Sequence, residues 1–172
     1  MKIEVYSDGS GNTFESDGGY GFRLVIDGQL YKEGSGYIAR ATNNVAEIQA
    51  AISGFEELQR LIKTDPLFSA GNLSITLVSD SQLVLGYASG RYQCKALHLT
   101  QLYIQLKGLY QALGADIRWV KGHSGNLHNE GCDKLAKAAR EGKGLCLTGQ
   151  KETKNTLENI NDNTDLKIER KD

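Results

Sequence analysis

The change of period at residue 42 restricts the folds open to this chain more than any other feature. Lys2 to Asp8 alternates, with Ile3, Val5 and Ser7 on one face and Glu4, Tyr6 and Asp8 on the other, which is the two-residue period of a strand. A turn-rich loop, GSGNTFESDGG, leads to a second strand over Tyr20–Asp27. The hairpin signal Asp27-Gly28 then opens a third strand, Gln29–Ile38. At Thr42, a candidate N-cap, the period switches to 3.6. Val45, Ile48, Ile52, Phe55 and Ile62 form an apolar stripe with Ala51 and Leu58 beside it, and Glu47 lies on its flank. This helix is expected to stop before Asp65-Pro66.

Strand character returns at Leu73–Ser79. A strand, a crossover helix and a further strand favour a parallel, right-handed connection, here against the first strand. Ser81–Ala88 reads as a short helix and Ser89–Lys95 as a loop. A longer helix turns Leu99, Leu102, Tyr103, Leu106, Leu109, Tyr110 and Leu113 inward. Ile117–Val120 is a fifth strand, and a closing helix spans about His128 to Glu141. The expected fold is α/β: a five-stranded mixed sheet, three antiparallel strands followed by parallel ones, flanked by helices.

Composition narrows the class. With 172 residues, 40% of them apolar and 24% charged, the chain suits one ordinary globular domain. Its net charge of −1 argues neither for nor against a nucleic-acid partner. Three cysteines without CxxC spacing, and no secretory leader, point away from a disulfide framework and toward a reduced, cytoplasmic protein. No apolar run reaches the roughly 20 residues of a membrane span. From about Gly149 apolar residues thin out and aromatics vanish. The division expected is a folded domain over 1–148 and a disordered polar tail over 149–172.

Four acids occupy distinctive places. Asp8 ends the first strand, Glu47 flanks the first helix, Asp80 ends the fourth strand and Asp133 opens the last helix. If strands one and four are parallel neighbours, Asp8 and Asp80 emerge side by side at the edge where open α/β sheets carry their sites. Carboxylates so gathered repel, and a hard divalent cation such as Mg²⁺ relieves that repulsion while leaving coordination positions for water and phosphate. Taken singly, each acid also has a plainer role: Asp80 could cap the short helix, and Asp8 could begin a turn. His128 and Cys132, four residues apart with His123 nearby, lack a fourth ligand for zinc, and Cys132 reads as a packing residue. His98 reads as a helix-surface residue.

The segments YSDGS (6–10), TNNVAE (42–47), SDSQ (79–82) and KGHSGNLHNEGCDKLA (121–136) together resemble type 1 ribonuclease H, in order and spacing, from the start of the chain to about residue 141. The resemblance implies an endonuclease that cuts the RNA strand of RNA–DNA hybrids by two-metal, in-line attack of water, leaving 5′-phosphate and 3′-hydroxyl ends. Asp8, Glu47, Asp80 and Asp133 match the family's metal-binding carboxylates. Two Mg²⁺ ions are expected per site, with Mn²⁺ as a substitute. His123 matches the mobile loop histidine that shuttles a proton or assists product release. Asn43, Asn44 and Gln82 match minor-groove contacts, and Thr42 matches a phosphate-pocket residue as well as an N-cap. Asn129 and Glu130 also match the family pattern, and Glu130 is read as support behind the ligands.

The chain also departs from the pattern. The interval before the long helix holds only Arg91 and Lys95 where some members carry a basic protrusion. No hybrid-binding domain is expected before Asp8. The glycine-rich loop lacks the usual Gly-Asn-Pro run, leaving Asn12 as the nearest phosphate-contacting candidate. Weak, salt-sensitive binding is expected, since phosphate contacts dominate affinity. The other readings weighed are an integrase-like enzyme of the same fold and a non-catalytic nucleic-acid-binding domain; retention of all four acids speaks against the latter. A monomer is the default expectation.

Overall fold

A computed structural model describes residues 1–69 and 71–142. Three strands open the fold: β1 (Lys2–Ser10), β2 (Gly18–Ile26) and β3 (Gln29–Ile38). They run antiparallel, in register from Ile3–Ile26 to Ser10–Gly19 between β1 and β2. Asp27 (φ 47°) and Gly28 (φ 82°) both take the left-handed conformation that a two-residue hairpin turn demands. Helix α1 (Asn43–Thr64) follows, with the Thr42 hydroxyl accepting from the Val45 amide at 3.3 Å. A short 3-10 turn at Pro66–Ser69, which the sequence pattern did not suggest, leads on to β4 (Ser74–Ser79).

Strand β4 pairs parallel with β1, and β5 (Asp116–Trp119) pairs parallel with β4, giving the order β3-β2-β1-β4-β5. This is the mixed five-stranded sheet the periodicity predicts. Helices α2 (Gln82–Ser89) and α3 (Thr100–Leu113) join α1 on one face, and α4 (Leu127–Arg140) covers the other. Ile3, Val5, Leu24, Ile48, Ile52, Phe55 and Leu77 form the centre of the larger core. A smaller core of Tyr6, Val25, Val78 and Cys132 lies beneath α4.

Several expectations change in detail. Of the residues read as inward on α3, only Leu106 is fully buried, with Leu99 buried just before the helix; the rest pack partly against the core because α3 lies outside α1 and α2. Val45 and Ile62 are likewise only half-buried, while Leu61 is buried. Ser81, not Asp80, caps α2, its hydroxyl accepting from the Val84 amide at 3.3 Å. Helix α4 begins six residues before Asp133, capped by Asn126, which accepts from the His128 and Asn129 amides. The polar tail over 149–172, and with it the domain boundary at 148, lies outside the described residues. No helix among the described residues is long and apolar enough to cross a membrane.

Candidate active site

The site grows from the carboxyl ends of the two parallel central strands. Tyr6 and Val78 are the last register partners of β1 and β4, and Asp8 and Asp80 stand two residues beyond them. Glu47 arrives from α1 because Gly9 lets the helix backbone in: a Cβ on Gly9 would stand 2.2 Å from the Glu47 amide nitrogen. Asp133 arrives from α4, which settles on β2 where Gly21 leaves the same kind of gap; a Cβ there would stand 2.6 Å from the Cys132 carbonyl. Four acids distant in sequence thus meet at one edge, each carried by a rigid element.

Their electrostatics record the meeting. Burial, with Asp80, Asp133 and Glu47 close enough to add repulsion, pushes the Asp8 carboxyl up to about 8, although the Gly9 N–H donates to it at 2.8 Å. Burial and Asp80 also raise Glu47 above the usual carboxylate range, against hydrogen bonds from Ser81 and Asn43. Lys137 meets Asp133 at 2.7 Å; among the described residues Asp8, Glu47 and Asp80 have no ion-pair partner.

Each acid is turned toward its own neighbour. The Ser81 hydroxyl donates to one Glu47 oxygen at 2.5 Å and the Asn43 amide to the other at 2.6 Å. Asn129, buried beneath the loop, donates to Asp80 Oδ2 at 3.0 Å. As they stand, no three of the described His, Cys, Asp and Glu side chains close into a ready-made ligand set. The donor chemistry nevertheless suits a hard divalent cation: all the donors are carboxylate oxygens, one is buried, and three lack ion pairs.

Around this cluster the other candidates fall at different distances. His123 is exposed, on a loop whose backbone touches the site: a Cβ on Gly122 would stand 2.7 Å from Asp80 Oδ2. Its φ of 51° holds it in a conformation uncommon for a non-glycine residue. Thr42 caps α1 and pairs by an isolated bridge with Asn12 of the glycine-rich loop. Asn43 is engaged at both ends of its amide, accepting from the Gly11 N–H at 3.2 Å while donating to Glu47. Asn44, in the first turn of α1, and Gln82, the first residue of α2, are both exposed. Glu130 accepts from the Gly125 amide at 2.8 Å and so ties the His123 loop to α4. Direct support for Asp80 comes instead from Asn129. His98 stays at the surface, in a 3-10 turn, edge-on to Phe14. Cys132 is fully buried, and burial drives its thiol well above the ordinary range.

Three contacts escaped the sequence reading: Ser81 to Glu47, Asn129 to Asp80, and the Trp119 indole N–H to the Asp80 carbonyl at 3.0 Å. Ser81 and Asn129 lie within the segments 79–82 and 121–136 that carry the family resemblance, but no local period says that they reach these acids.

The chain is similar to known proteins over most of its length. The RNase H family model matches residues 1–141. A ribonuclease H from Aeromonas hydrophila is 32% identical over 155 residues, covering 84% of this chain and 93% of its own length. The crystal structure of RNase H1 from the halophilic archaeon Halobacterium salinarum superposes with a TM-score of 0.68 at 28% identity, covering 83% of this chain and 99% of that one. LC11-RNase H1, solved in complex with an RNA/DNA hybrid, shares the fold with a TM-score of 0.69 at 22% identity, over 81% of this chain and 97% of that one.

Proposed function

This chain belongs to the ribonuclease H family, and we propose on that premise that it is an endoribonuclease hydrolysing the RNA strand of RNA–DNA hybrids, leaving 5′-phosphate and 3′-hydroxyl ends. The observation that carries the proposal is the buried Asp8 carboxyl, surrounded by three other acids from three different elements and pushed up to about 8. A fold rarely gathers uncompensated acids for stability alone; perturbed groups of this kind cluster at functional sites.

In this reading Asp8, Glu47, Asp80 and Asp133 hold Mg²⁺, two ions per site, with Mn²⁺ as a substitute. When bound, such cations neutralise charge on the attacking and leaving oxygens of an in-line displacement. Ser81 and Asn43 orient Glu47, and Asn129 orients Asp80, each by a hydrogen bond to a carboxylate oxygen. His123, on its exposed loop, moves a proton or helps product to leave. Thr42, Asn43, Asn44 and Gln82 contact the hybrid, the amides reaching base edges and 2′-hydroxyls in the minor groove without reading a full sequence. Glu130 acts at one remove, by holding the loop that carries His123.

The test is cleavage of a strand-labelled RNA–DNA hybrid at low salt with Mg²⁺, beside an Asp8→Asn control and duplex DNA of the same sequence. Cutting of the RNA strand alone, abolished by the substitution, is expected. A folded protein that cuts nothing with Mg²⁺ or Mn²⁺ would overturn the enzyme reading in favour of a binding domain.

A further inference from the structure

Beyond the acids, on the β5 side of the site, lies a small pocket lined by Gln82, Arg91, Tyr92 and Trp119 together with Leu85 and Ile117. Two of its aromatic rings are about half exposed, Trp119 at 49% and Tyr92 at 46%. Neither is loose. The Trp119 indole N–H is bonded to the Asp80 carbonyl, and the Tyr92 ring lies across Gly86 of α2, so that a Cβ there would come within 2.1 Å of the ring. The Tyr92 amide also donates to the Gly86 carbonyl at 3.0 Å. Large exposed apolar rings anchored this way have already lost much of the freedom that binding would otherwise take from them.

The one charged side chain that lines the pocket is a cation. Arg91 lines the pocket, the Lys107 ammonium would stand 3.8 Å from a Cβ on neighbouring Gly90, and no acid is among the lining residues. A guanidinium and two rings beside a phosphodiester site suit a strand that presents both phosphate and π-face. Bases inside a duplex hide their faces against each other, whereas bases of a single-stranded stretch expose them.

We propose that this pocket is a subsite for an unpaired nucleotide, the single-stranded extension of a hybrid held in the adjoining acid site, with Tyr92 and Trp119 packing on the base and Arg91 pairing with its phosphate. The inference rests on the hybrid-nuclease reading and adds a preference: hybrids that continue into single strand are favoured over blunt ones.

Two arms test it on the full chain. Trp119 is the chain's one tryptophan, so its emission reports on this pocket directly. Without divalent cation and at low salt, an oligo-dT is expected to quench it saturably, and Tyr92→Ala to weaken that binding about tenfold, with Tyr92→Phe restoring it. In the second arm, blunt hybrids are compared with hybrids carrying a dT extension at each end of each strand. At least one extension should lower KM about tenfold. Tyr92→Ala should remove that advantage while leaving kcat and KM for the blunt hybrid unchanged. Quenching that is absent, or equal in Tyr92→Ala, overturns the subsite, as does equal KM for blunt and extended hybrids. Failure to cut even the blunt hybrid would count against the nuclease reading instead, and the quenching arm would still judge the pocket.

Discussion

Strand β1 buries two acids, Glu4 and Asp8, and helix α1 largely covers two of its three glutamates, Glu47 and Glu57, and within each element the two meet opposite fates. Burial alone would raise Glu4, but Lys2 at 3.0 Å and Arg118 at 2.7 Å outweigh it and hold its carboxyl below the usual range. The Arg60 guanidinium, against burial and with Lys32 beside it, does the same for Glu57. Asp8 and Glu47, at the other end of the same two elements, have acids where Glu4 and Glu57 have cations, and both are raised. The fold is therefore able to pair its buried carboxylates and does so away from the site. At the edge of β1 and β4 it leaves them to each other, which makes the charge there a feature of the site and not a failure of packing.

The sharpest way to break this contrast is to neutralise one acid on each side. Asp8→Asn should lower hybrid cleavage by at least about a thousandfold, since the charge stabilisation lost at the reacting phosphate amounts to several kcal/mol. Glu57→Gln should leave cleavage within about twofold but lower the melting temperature by about 5 °C, by stripping Lys32 and Arg60 of their partner. A strong loss of activity in Glu57→Gln would mean that the two kinds of acid are not separate in role.

Gly9→Ala tests how the acids are brought together. The new methyl would meet the α1 backbone at Glu47, which cannot give way as a flexible side chain would, so the helix must shift. Cleavage should fall about ten- to a hundredfold, the scale at which a misplacement near 1 Å is felt. The Glu57 ion pairs should persist, readable as an unchanged acid limb of stability.

The smallest expected effect is in stability against pH, measured by thermal unfolding in chelator. Asp8 has its folded value, about 8, above its unfolded value of 3.8, so folding takes up a proton. Its contribution is fully present below about pH 4 and is lost as pH rises through about 8. Glu4 and Glu57 have folded values below 4.5, so theirs is present above that pH and lost as pH falls through the folded values. Asp8→Asn should flatten the alkaline side, raising the melting temperature at pH 9 by about 5 °C. Added Mg²⁺ at pH 8 should stabilise the parent protein and not this variant, by simple mass action. Equal pH slopes in the two proteins would show that Asp8 is not the group that titrates.

Much of the scaffold was legible beforehand because its signals are local. The bounds of β3 agree at both ends, and α1 begins after Thr42 and stops before Asp65-Pro66, since alternation, capping and the restriction before proline act within a few residues. The strand–helix–strand order was enough to expect β1 beside β4, and with it Asp8 beside Asp80. The order of the four acids along the chain likewise named the elements that would carry them.

What no window of sequence contains is which groups touch once those elements pack. Ser81 reaches Glu47 across 34 positions, and Asn129 and Trp119 reach Asp80 across 49 and 39. That Glu4 finds Arg118 in an ion pair while Asp8 faces other acids without one depends on strand register and on how closely glycines let helices approach. Those are properties of the assembled sheet, because a hydrogen bond or an ion pair is decided by distances of a few ångströms between segments far apart in the chain. Periodicity sets where a residue faces; packing alone sets what it faces.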